Sequence, residues 1–73
     1  MNKTVPLFDE IRLEKEIEVQ RRNMLEVLES RFPGRVPAQV VKRIRSEADV
    51  EKLRHWFRLS LTATLEAFQA ALD

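Results

Sequence analysis

The chain has no cysteine and no tyrosine, and only one glycine, one histidine, one tryptophan and three prolines in 73 residues. Without cysteine there is no disulfide scaffold, no thiolate zinc site and no cysteine nucleophile. One glycine cannot build a phosphate-cradling loop. His55 stands alone, whereas a metal site needs three or four convergent ligands. The longest uncharged run, Leu59 to Leu65, falls far short of the roughly 20 apolar residues of a membrane-spanning helix. The opening Met1-Asn2-Lys3-Thr4-Val5-Pro6 lacks the apolar centre of a signal peptide. These absences predict a soluble, cytoplasmic protein with no cofactor, no metal and no membrane partner. Its length allows one domain near the lower limit of independent folding.

Charge is unevenly spread. The net charge of +1 conceals −2 over residues 1–30, +5 over residues 31–58 and −2 over residues 59–73. Screening acts over about 8–10 Å at physiological salt, so the basic middle segment matters more than the total.

The chain divides at Arg31-Phe32-Pro33-Gly34-Arg35-Val36-Pro37, where two prolines flank the only glycine. Residues 1–8 read as a lead-in and residues 9–73 as a single helical domain. From Asp9 to Arg31 there is neither proline nor glycine, and good helix formers dominate. Leu13, Ile17, Met24, Leu25, Val27, Leu28 and Phe32 share one broad stripe of that helix. Glu18 and Arg22 are spaced for an i,i+4 pair. Pro33 and Gly34 stop the helix, with Gly34 suited to a left-handed C-terminus. Pro37 then opens a short second helix to about Arg45, burying Val40, Val41 and Ile44. Ser46 reads as the N-cap of a third helix, with Val50, Leu53, Phe57 and Leu61 as its core stripe. Thr64 caps a last helix that buries Leu65, Phe68 and Leu72. The expectation is an all-α small bundle, one long N-terminal helix followed by three shorter ones.

No enzyme is expected. Ser30, Ser46 and Ser60 suit helix-end or helix-surface roles and lack a nucleophile-elbow context. Glu14, Glu16 and Glu18 read as a solvated face. Two features are left over. Phe8, Ile11 and Val19 form a second apolar line on the first helix, and Trp56 and Leu59 lie beside or opposite the third helix's core stripe. These five residues are the expected protein interface. The basic segment supplies Arg31, Arg35, Lys42, Arg43, Arg45, Arg54 and Arg58, which could converge on DNA phosphates. Against DNA contact stand Glu51 among those arginines and the lack of a row of base-reading side chains.

The run from Met24 to Pro37, an apolar helix ending in Arg31-Phe32-Pro33-Gly34 before a proline-led helix, resembles the small C-terminal helical domain of bacterial Rpn-type recombination-promoting nucleases. Val40, Val41 and Ile44, then Val50 to Phe57 and Thr64 to Phe68, continue the likeness across residues 17–72. Pro33 departs from it, because that family runs phenylalanine directly into glycine. The resemblance implies a non-catalytic helical part, excised or separately translated, that associates with the full-length nuclease and restrains DNA cleavage. The expected function is a non-catalytic interaction and oligomerisation module that associates with itself or a related nuclease and modulates its DNA cleavage. The alternatives are a DNA-contacting domain and an antitoxin-like partner.

Overall fold

The computed structural model describes the backbone of residues 4–72 and the side chains of residues 12–72. Four helices follow in order: α1 Thr4–Arg31, α2 Ala38–Ser46, α3 Val50–Thr62 and α4 Leu65–Leu72. No strand occurs among the described residues. The all-α architecture and the long first helix are as expected. α1 begins at Thr4 rather than near Asp9, so most of the expected lead-in is helical. Pro6 is accommodated because it lies in the first turn, where a backbone N–H would have no intrahelical acceptor.

The turn after α1 behaves as its residues require. Phe32 N still donates to Leu28 O at 2.8 Å, and Arg35 N closes back on Phe32 O at 3.0 Å. Gly34 takes φ +71°, a left-handed conformation that costs glycine little and a β-carbon more. Its N–H donates to the Glu29 carboxylate at 2.9 Å, which fastens the turn to the last turn of α1.

The starts of the other three helices differ in how they are capped. Pro37 is the N-cap of α2 and makes no side-chain cap; its carbonyl accepts from Val40 N and Val41 N at 3.1 and 3.3 Å. Asp49, not Ser46, caps α3. Its Oδ1 accepts from Glu51 N at 2.9 Å and Lys52 N at 3.4 Å. Ser46 instead ends α2 and donates its hydroxyl to Arg43 O at 3.0 Å. The reason is the extended backbone at Glu47 and Asp49, which moves the start of α3 three residues past Ser46. Thr64 caps α4 as expected, its Oγ1 accepting from Ala67 N at 3.1 Å.

Each helix contributes two residues to the buried apolar core: Met24 and Leu28, Val40 and Ile44, Leu53 and Trp56, Phe68 and Leu72. α3 packs on α1 and α4, while α2 touches α1 and α4. This sandwiching rotates the buried face of α3 away from its expected stripe. The line inside is Leu53, Trp56 and Ser60; Phe57 is half-buried, and Leu61 is 49% exposed. Ser60 is fully buried rather than on the surface, and its hydroxyl donates to Phe57 O at 2.6 Å. Val41 and Leu65 are half-buried, and Leu13 is 46% exposed, although all three were expected inside.

The molecule measures 50 × 20 × 20 Å. At 1.5 Å per residue the 28 residues of α1 span about 42 Å, and the 13 residues of α3 only about 20 Å. The radius of gyration, 14.2 Å, exceeds the roughly 11 Å of a compact chain of this length. The long first helix outruns the bundle it belongs to.

Candidate protein-interaction surface

The core-facing line of α1 carries two arginines, and both reach across the bundle. Arg21 sits between Ile17 and Met24 on that line. Its Nε donates to Glu47 O at 2.9 Å, and its Nη2 donates to the same carbonyl. Arg31 Nη1 donates to Ser60 O at 2.7 Å and Ala63 O at 2.8 Å, at the C-terminus of α3. Helix C-termini present unpaired carbonyls and partial negative charge, so a guanidinium there meets both needs. These contacts also set direction. α1 meets the start of α3 near Glu16 and its end at Arg31, so the two helices run the same way, and the chain returns through α2.

Glu47 gathers the α2–α3 junction. Its carboxylate accepts from Asp49 N at 3.0 Å, pairs with Arg43 at 2.9 Å and lies 3.9 Å from Lys52. The hydrogen bond from the Asp49 backbone, aided by Arg43 and Lys52, lowers the Glu47 pKa against a smaller opposing effect of burial. Arg21 and Glu47 were missed in the sequence. The available signal was a charged residue, Arg21, set squarely on an apolar stripe.

The basic segment does not form one patch. Arg31 is committed to α3 and lies 4.7 Å from the centre of the Phe32 ring. Arg43 pairs with Glu47 and stacks 4.9 Å over Trp56. Arg54 bridges α3 to α1 through Glu16, at 2.8 Å from Nε and 2.6 Å from Nη2, and also pairs with Glu51 at 2.8 Å. Those carboxylates raise the Arg54 pKa, Glu16 most of all. Arg35, Lys42, Arg45 and Arg58 are exposed and take no ion pair among the described residues. His55 is exposed, and no group of metal-ligating side chains occurs among the described residues.

The five expected interface residues separate. Trp56 is 3% exposed and belongs to the core, so it offers no spare face. The rotation of α3 carries it inward, with Arg43 covering its ring. Leu59 is half-buried against the core. Val19 is half-buried and is not part of the core packing. The side chains of Phe8 and Ile11 lie outside those described.

What remains open to a partner is α1 itself. Arg12, Leu13, Glu14 and Lys15 are all exposed, and Glu16 is the first described residue to reach another helix. Grooves flank the helix on both sides. Between α1 and α2 lies a groove of about 530 Å³ with Leu25, Val36 and Val41 as its apolar floor and Glu18, Arg22 and Glu26 on its rim. Between α1 and α3 lies another of about 420 Å³, floored by Val27, Phe57 and Leu61. The fold and this surface define a small all-α domain with a projecting helix. No family model, curated protein or solved structure matches the chain.

Proposed function

We propose that this chain is a non-catalytic helical interaction module whose first partner is a second copy of itself. The observation that carries this reading is the length of α1. A helical segment shorter than about 12–15 residues is marginal in water without tertiary packing. α1 runs on N-terminally beyond Glu16, and the four described side chains there, Arg12 to Lys15, are all exposed, Leu13 among them. Burying that segment against another chain supplies the missing packing. The likeness to the helical part of Rpn-type nucleases would make such a nuclease a further partner, with restraint of DNA cleavage as the outcome. The self-association reading rests on the projecting helix and not on that likeness.

DNA contact is the weaker alternative. Of the seven cations it would use, Arg31 is held at the end of α3, and Arg43 and Arg54 are in ion pairs within the chain. The remaining Arg35, Lys42, Arg45 and Arg58 share no groove among those described.

Light scattering of the purified chain over a hundredfold concentration range tests the proposal. A mass of twice the 8.6 kDa chain or more, persisting on dilution to micromolar levels, is expected. A mass of one chain at every concentration overturns it.

A further inference from the structure

We infer that the second copy docks antiparallel along α1, over the groove that α1 forms with α2. This rests on the self-association reading and adds the surface and its orientation.

One flank of α1, running along that groove and into the adjoining one, carries Lys15, Glu18, Arg22 and Glu26 at steps of three, four and four, so the four stand in one row along the helix. All four are exposed, and none is in an ion pair among the described residues. Even Glu18 and Arg22, spaced for pairing with each other, stay apart.

The order of signs along the row, plus, minus, plus, minus, decides the geometry. A parallel copy sets each charge against its own like. An antiparallel copy related by a two-fold axis near Gln20 reverses the order. Lys15 then meets Glu26 of the partner subunit, Glu18 meets Arg22 of the partner subunit, and symmetry repeats both pairs. A two-fold interface must be self-complementary in this way. Opposed like charges are the usual means of rejecting the wrong register.

Shape and polarity agree with the charges. Glu18, Arg22 and Glu26 line the 530 Å³ groove together with Arg21, Glu29 and Arg45, around an apolar floor of Leu25, Val36 and Val41, and Lys15 lines the adjoining groove beside Ile17 and Ala48. Val19, half-buried and outside the core packing, lies near the axis. In this arrangement the projecting half of each α1 lies along the C-terminal half of the other. The exposed side chains of Arg12 to Lys15 thereby gain neighbours. An apolar floor ringed by charge is the layout of a specific interface, with a water-excluding centre and a polar rim.

Three variants test the inference by light scattering and sedimentation, with circular dichroism confirming helicity. Lys15→Glu with Arg22→Glu makes the row wholly acidic. Glu18→Lys with Glu26→Lys makes it wholly basic. Each pair should raise the dimer Kd by about tenfold or more. The four changes together restore alternating signs and should return the Kd to within about threefold of the parent value. If the parent dimerises but both double variants do so equally well, the docking surface is wrong and the self-association reading stands. Weakened double variants that the fourfold variant does not rescue overturn the antiparallel assignment. A parent chain that is monomeric throughout overturns both readings.

Discussion

Trp56→Ala separates a core tryptophan from an interface tryptophan. The residue is 3% exposed, in contact with a core drawn from all four helices, and its ring lies 4.9 Å beneath the Arg43 guanidinium. Truncating a buried tryptophan to alanine costs about 3–5 kcal/mol, from lost transfer free energy and the cavity left behind. The Arg43 contact contributes about 0.5–1 kcal/mol of that, since the guanidinium is partly solvated. A domain of this size is stable by only about 4–11 kcal/mol. Trp56→Ala should therefore unfold at much lower urea concentration, and at the lower end of that range it is largely unfolded without denaturant. Trp56→Phe keeps an aromatic ring in place and should lose about half as much. Urea titration followed by far-ultraviolet circular dichroism measures both, at matched protein concentration because self-association adds concentration-dependent stability. A Trp56→Ala chain that loses under 1 kcal/mol of stability while its oligomeric mass falls would refute the core assignment. Trp56 would then be an interface residue after all.

Two further predictions concern the polar contacts that hold the helices in register. Arg31→Met keeps most of the aliphatic stem but removes the donors to Ser60 O and Ala63 O. The loss should be about 1 kcal/mol, since the site is partly solvated, or about 4–8 °C in Tm for a domain of this length; an unchanged Tm would mean the two bonds add nothing net. Glu47 has a depressed pKa, so its stabilising effect is fully present above the usual carboxylate value of 4.5 and disappears as pH falls below it. Glu47→Gln should flatten the stability profile over that acid range, and a profile identical to that of the parent chain would discount the junction.

Much of this architecture is legible before any coordinates. Gly34 is the only residue able to take a positive φ cheaply, and it stands where a long proline-free stretch ends. Thr64 before Leu65 and Glu66 marks the last helix start. Met24, Leu28, Val40, Ile44, Leu53, Phe68 and Leu72 were all expected inside, because helical periodicity identifies the apolar side of an element. The same reasoning misplaced Trp56, Leu61 and Leu13. Periodicity says which side of a helix is apolar but not how that side is turned among several neighbours, or where along the helix the neighbours stop.

The capping of α3 shows the same division. Ser46 and Asp49 are both good N-cap residues, and local propensity scarcely separates them. Arg21 settles the matter from 26 residues away by holding the Glu47 carbonyl, which belongs to the extended junction and leaves Asp49 at the helix start. The basic segment is a count in the sequence and a set of separate contacts in the fold, because Glu16, Glu47, Glu51 and the end of α3 each claim an arginine.

The helices, their breaks and most of the core can therefore be read along the chain, since these depend on residues within a few turns of one another. That α3 turns Trp56 inward, that three arginines of the basic segment are engaged within the chain, and that α1 outruns its bundle were settled by the folded arrangement. Each of those depends on which residues distant in sequence meet in space, and spacing along the chain carries no record of that.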